Sequence, residues 1–127
     1  MTLELVDRDR VPGYAGPLHA ARHPALANRF HFWRGLSGRR YASTRFPANR
    51  PPAYSDAVSL FVCRRGGETV VLGVSAIAGS PVIPLGTEEI HLHIVRDGPE
   101  ALQATFEDLS ALVAPRLSRG PVARRAA

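Results

Sequence analysis

Five short segments with alternating apolar and polar side chains, separated by glycine- and proline-rich turns, restrict the fold of this sequence more than any other feature. They lie at residues 29–34, 39–46, 56–65, 68–75 and 88–95. A two-residue period places successive side chains on opposite faces of a strand, so each segment is predicted to be a β-strand. The Gly66–Gly67 pair is typical of a tight hairpin turn. Two hairpins, at 29–46 and 56–75, and a single fifth strand are therefore predicted.

One helix is predicted after the fifth strand. The apolar residues at helical spacing are Leu102, Phe106, Leu109 and Val113. Pro115 ends this pattern, because proline cannot continue a helix. Asp97, with Glu100 three residues later, resembles a capping box at the helix start.

This element order predicts an α+β protein with a five-stranded, mainly antiparallel sheet (two hairpins plus one strand) packed by a C-terminal helix. The strand side chains expected beneath the helix are Val58, Leu60, Val70, Leu72, Ile90 and Leu92. A length of 127 residues is enough for one domain. We expect an irregular N-terminal arm at residues 1–28, a single α+β domain at 29–115 and a basic flexible tail at 116–127.

Composition excludes several kinds of chemistry. All 16 basic residues are arginine, so no lysine is present for a phosphate-binding loop or a Schiff base. The single cysteine, Cys63, excludes an internal disulfide, and its place on an apolar strand predicts a buried, inert thiol. No apolar run approaches the ~20 residues of a membrane helix, and the N-terminus lacks a secretory h-region. We therefore expect a bacterial cytoplasmic protein that does not associate with membranes and has no bound cofactor.

Positive charge is concentrated in the first hairpin and the loop after it. Residues 29–50 contain six arginines and no acidic residue, whereas residues 51–115 contain eight acidic residues and three arginines. Arginine and aromatic side chains are typical anchors of protein interfaces, and they also suit phosphate contact and base stacking. The predicted binding residues are Arg29, Trp33, Arg34, Arg39, Arg40, Tyr41 and Arg45. An acidic protein is the expected partner and a nucleic acid the alternative; a third interpretation is a hairpin with core aromatics and merely solvated arginines.

The spacing of His91 and His93 raises a second hypothesis. Residues two apart on a strand share a face, so both imidazoles could reach one metal ion. Two histidines do not complete a site, and a third ligand such as His31 is not fixed by any spacing. We therefore expect two half-exposed histidines on the polar face of the sheet, no metal site and no catalytic residue. The alternative is a metal-assisted hydrolase centred on the His-x-His strand.

Residues 31–41, His-Phe-Trp-Arg-Gly-Leu-Ser-Gly-Arg-Arg-Tyr, resemble the opening of small uncharacterised proteins of GC-rich alphaproteobacteria. The later segment 89–93, Glu-Ile-His-Leu-His, is similar to their C-terminal half. More distantly, the hairpin at 58–75 is similar to that of GIY-YIG nuclease cores, which carries two tyrosines. Here it has Phe61 and Gly73 but neither tyrosine, which implies at most a degenerate nuclease-like module. The leading expectation is a small, non-catalytic binding or accessory protein.

Overall fold

Six β-strands form one antiparallel sheet in a computed structural model that describes residues 11–17, 29–76 and 82–113. The elements are β1 (Gly13–Pro17), β2 (Phe30–Arg34), β3 (Arg40–Pro47), β4 (Ala57–Arg65), β5 (Glu68–Ser75), β6 (Glu89–Ile94) and the helix α1 (Pro99–Ser110). The strand order is β1-β2-β3-β6-β4-β5, and every neighbouring pair is antiparallel. The sheet curls into a half-barrel. The α+β class is confirmed, but the sheet has six strands rather than five.

The additional strand, β1, lies in the segment that was expected to be an irregular arm. Its sequence, Gly-Tyr-Ala-Gly-Pro, has no apolar alternation, and both of its glycines have positive φ angles. Pairing with β2 holds it extended, with an irregular register between Tyr14 and Gly16. Tertiary pairing therefore overrides a sequence that carries no strand signal of its own. Residues 1–10 and 18–28 of the predicted arm, and the predicted tail at 116–127, lie outside the described residues.

Strand β6 lies between β3 and β4, and both of its faces are buried. Ile90, His91 and Leu92 are all buried, although they alternate between the two faces. The strand register pairs His91 with Leu60 and His93 with Val58. Both histidines therefore lie on the same face of the sheet as Leu60 and Val58. The expectation that His91 is half exposed on a polar face is therefore wrong, because this face is the one that α1 covers.

Helix α1 buries its apolar stripe on that face. The core there consists of Trp33, Tyr41, Val58, Leu60, Val62, Val71, Val95 and Leu109. Leu109 is fully buried, while Leu102 and Phe106 are partly buried at the edge of the same cluster. The expected packing on Val58 and Leu60 is confirmed. Ile90 and Leu92, which were expected beneath the helix, are buried on the opposite face.

A β-bulge between β4 and β5 explains why Val70 and Leu72, which were also expected beneath the helix, do not lie there. Phe61 pairs with Gly73 but Val62 pairs with Val71, so Leu72 is the extra residue. The irregularity places Val71 in the core under α1 and leaves Val70 beside Cys63 on the other face. Cys63 is buried, as the strand pattern predicted. The tight turn is also confirmed, with φ angles of 57° at Gly66 and 83° at Gly67.

The start of α1 differs from the predicted capping box. Gly98 is the N-cap residue, no side chain caps the helix, and Pro99 occupies its first turn. Gly98 has a φ of 99°, which favours glycine, and Pro99 has no backbone N–H that needs a partner. Asp97 is therefore not the cap.

Among the described residues, no helix combines the length and hydropathy of a membrane span.

Candidate functional site

The hairpin of β2 and β3 presents two different faces. Trp33 pairs with Tyr41 and Arg34 pairs with Arg40, so the two pairs project to opposite sides of the sheet. Trp33 and Tyr41 lie under α1 with 1% and 6% of their surfaces exposed. Their rings therefore belong to the core and are not surface anchors for a partner, which corrects their assignment as binding residues. Arg34 and Arg40 lie on the face away from α1.

The arginines predicted to bind a partner occupy different environments. Arg29, Arg39 and Arg40 are exposed, whereas Arg34 and Arg45 are half-buried. The guanidinium of Arg40 lies 4.0 Å from the centre of the Phe32 ring, and Arg34 Nη1 donates to the Gly38 carbonyl at 2.7 Å. Every ion pair in the described part of the chain involves Glu89, and among these five arginines only Arg45 takes part. No described carboxylate therefore neutralises Arg39 or Arg40 by an ion pair.

Asp108 fastens the β2–β3 turn to the helix. Its carboxylate accepts hydrogen bonds from Ser37 N at 2.8 Å, Ser37 Oγ at 2.7 Å and Tyr41 Oη at 2.7 Å. The Leu36 amide also donates to the Asp108 carbonyl. A Cβ at Gly35 would overlap this carboxylate, so the close approach requires glycine. No local sequence pattern indicates these contacts, because Asp108 is 71 residues from Ser37 and 67 from Tyr41.

The pKa values of Tyr41 and Asp108 keep the phenol protonated and the carboxyl ionised, so the hydrogen bond between them has a fixed direction. Burial raises the pKa of Tyr41 to about 12, and its hydrogen bond to Asp108 adds to the effect, so the phenol remains a donor. Desolvation opposes ionisation of Asp108, but the hydrogen bonds from Ser37 and Tyr41 outweigh it and lower the pKa of the carboxyl. The arrangement is therefore a fixed link between turn and helix rather than a proton-transfer pair.

Replacing Asp108 by alanine should lower the free energy of unfolding by about 2–4 kcal/mol, because charged hydrogen bonds are lost and the Tyr41 hydroxyl is left without its acceptor. Urea unfolding followed by circular dichroism measures the change. Glu107→Ala is the matched control, since Glu107 is exposed and accepts a hydrogen bond from Gln103 on the same helix. Equal, small effects of the two substitutions would show that Asp108 does not anchor the turn.

His91 lies at the centre of a buried polar chain. Trp33 Nε1 donates to His91 Nδ1 at 2.8 Å, and His91 Nε2 lies 2.9 Å from Glu89 Oε1. An indole N–H can only donate, so Nδ1 is an acceptor and the ring proton is on Nε2, which donates to Glu89. Burial lowers the pKa of His91 and favours this neutral form. Both ring nitrogens are thus used, and neither is available to a metal ion or a substrate.

The other two candidate metal ligands also bond within the protein. The His31 ring lies 4.8 Å from that of His91, and its Nδ1 is 2.7 Å from the Tyr14 hydroxyl. His93 Nδ1 lies 2.6 Å from the Ala42 carbonyl. In the ranges that the structure describes, no three His, Cys, Asp or Glu residues are grouped so that they could hold a metal ion. The shared strand face predicted for His91 and His93 therefore brings no third such ligand together with them among the described residues.

Acid should destabilise the protein in two pH windows. A hydrogen bond from His91, aided by the charges of Arg64 and Arg45, lowers the pKa of Glu89 to about 2 from its ordinary 4.5. The pKa of His91 also lies below its ordinary 6.5, so protonation favours the unfolded chain as the pH falls below 6.5. Stability contributed by Glu89 is then lost between about pH 4.5 and 2.

Urea midpoints at pH 7.5, 5.5 and 3.5 measure this dependence. We expect a fall at each step, and a smaller second fall in Glu89→Gln, which has no titrating group at that position. A midpoint that is unchanged or higher at pH 5.5 would contradict the neutral state of His91.

Comparisons with protein-family models, curated proteins and solved structures give no match for this chain. The resemblance of residues 31–41 to alphaproteobacterial proteins, and that of the hairpin at 58–75 to nuclease cores, both stay predictions. The function has to be inferred from the residues and geometry described above.

Proposed function

We propose that this protein is a non-catalytic binding protein that contacts an acidic protein partner through the face of β2 and β3 turned away from α1. The arginine surface, as we name it, consists of Phe32, Arg34 and Arg40. The observation that carries the proposal is the guanidinium of Arg40, which is exposed and stacked on Phe32 at 4.0 Å. No carboxylate among the described residues pairs with it. An arginine held in this way presents its donors outward at a reduced entropic cost.

Apolar surface beside these arginines favours a protein over a nucleic acid. A shallow groove of about 290 Å³ is lined by Phe30, Ala42, Leu92 and Ile94, among others. Ile94 has 36% of its surface exposed. Arginine next to aromatic and aliphatic side chains is typical of protein interfaces. Base stacking needs open aromatic faces, and three of the five aromatic rings of this hairpin offer none: Arg40 covers Phe32, and Trp33 and Tyr41 are buried.

A metal-assisted hydrolase has less support. Of the two histidines proposed as its centre, His91 and His93, the first has both ring nitrogens occupied and is fully buried. A nucleic-acid partner remains the principal competitor, since exposed arginines also contact phosphates. We therefore include it as an outcome of the test.

Affinity capture with three immobilised proteins tests the proposal. The parent, Arg40→Glu and Arg65→Glu are exposed to a lysate of the source organism with and without nuclease. Arg65 is exposed on the β4–β5 hairpin, so its reversal gives the same change in net charge at a different place. We expect a protein that the parent and Arg65→Glu retain after nuclease treatment and that Arg40→Glu loses.

Retention that disappears on nuclease treatment would instead indicate a nucleic acid. If Arg40→Glu retains everything that the parent retains, the arginine surface is only solvated and the proposed function is wrong. Thermal melts check that the variants are folded. We expect melts close to that of the parent, because exposed charges contribute little to stability.

A further inference from the structure

A second cleft lies on the other side of the sheet, between α1 and the ends of β3 and β6. It has a volume of about 360 Å³, within the range of small-molecule sites. The polar side chains that line it belong to Arg39, Tyr41, His93, Arg96, Asp97 and Thr105. The arginine surface faces the opposite way, so the two features share none of the residues that define them.

His93 is held in the cleft in a defined orientation. Its Nδ1 lies 2.6 Å from the Ala42 carbonyl, and its ring meets that of Tyr41 edge-on at 5.1 Å. A carbonyl oxygen can only accept, so Nδ1 carries a proton and Nε2 is the ring atom left for a ligand. When the ring carries a second proton, Nε2 donates a hydrogen bond to an oxyanion. When the ring is neutral, Nε2 accepts a hydrogen bond from an anion that keeps an O–H group, such as a hydrogen phosphate.

Two exposed guanidinium groups, those of Arg39 and Arg96, line the same cleft. Neither forms an ion pair with a carboxylate in the described ranges. Asp108 is close enough to feel the charge of Arg39, but its oxygens already accept three hydrogen bonds from Ser37 and Tyr41. Among the described residues that line the cleft, Asp97 is the only acidic one, so positive charge predominates there.

We propose that this cleft binds a small oxyanion, a carboxylate or a phosphate group, between Arg39, Arg96 and His93 Nε2. Guanidinium groups match the planar or tetrahedral oxygens of such groups with paired donors. The apolar wall formed by Ala101 and Ala104 of α1 limits the space beside the anion to a small ligand. The proposal does not depend on the protein partner of the arginine surface.

Titration followed by NMR tests the site with two separate probes, inorganic phosphate and acetate, at constant ionic strength set with chloride. The His93 ring and the Arg39 and Arg96 side chains should show saturable shifts with a dissociation constant in the millimolar range. Tighter binding of phosphate would identify a phosphate group as the ligand, and tighter binding of acetate a carboxylate.

The variants Arg96→Gln and His93→Gln should weaken the binding at least fivefold. Arg65→Gln and Arg40→Glu should change it less than twofold, which separates this site from the arginine surface. Shifts that rise linearly without saturation, or that weaken equally in Arg65→Gln and Arg96→Gln, would show only general attraction of anions to a basic protein and would overturn the proposal.

Discussion

Replacing His91 by leucine should lower the free energy of unfolding by about 3 kcal/mol, although leucine is apolar and similar in size. The loss comes from the partners that remain. Trp33 Nε1, which is buried, and Glu89 Oε1, on a half-buried side chain, would both lose their hydrogen bonds to the ring. A buried polar group without a partner costs more than the hydrogen bond itself contributes in net terms.

A double-mutant cycle with Trp33→Phe separates this cause from simple packing. If the indole N–H depends on His91, the combined variant should be less destabilised than the sum of the single variants, because the orphaned donor is absent. Nitrogen NMR of the parent should also show the proton of His91 on Nε2. Additive effects, or a proton on Nδ1, would contradict the hydrogen-bond chain.

Replacing Leu109 by alanine should cost about 3–5 kcal/mol, the range for large buried leucines that leave a cavity. Leu109 is fully buried among Trp33, Tyr41 and the valines of β4 and β5. Leu36→Ala is the control, since that leucine has 68% of its surface exposed and should change stability by less than about 0.5 kcal/mol. Similar unfolding curves for the two variants would mean that α1 is not docked on the sheet.

Apolar periodicity predicted the parts of the fold that local sequence determines. Strands β2 to β6 and the helix follow from alternation and helical spacing, and the Gly66–Gly67 turn from its backbone requirement. The strand order does not follow, because nothing in the sequence of β6 specifies insertion between β3 and β4. The bulge at Leu72 was also missed, since one extra residue reverses the face of Val70 without changing the pattern.

Burial of polar residues limited the prediction of the site. The alternation of Ile90, His91 and Leu92 suggests a polar face in water, yet hydrogen bonds to Trp33 and Glu89 allow His91 to be buried. Asp108 was not among the predicted site residues, because its partners are distant in sequence. The arginine cluster itself was evident from composition, but its division between two faces depends on the register of β2 and β3.

The affinity of the captured partner for the parent, Arg40→Lys, Arg40→Glu and Arg65→Glu tests the proposed function most directly. Arg40→Lys keeps the charge but loses the planar stack on Phe32, so we expect it to bind less tightly than the parent and more tightly than Arg40→Glu. Arg40→Glu should bind at least tenfold more weakly, because charge reversal adds repulsion to lost contacts, and Arg65→Glu should stay within twofold. Equal weakening by Arg40→Glu and Arg65→Glu would show that net charge alone attracts the partner, and would contradict a specific binding surface on β2 and β3.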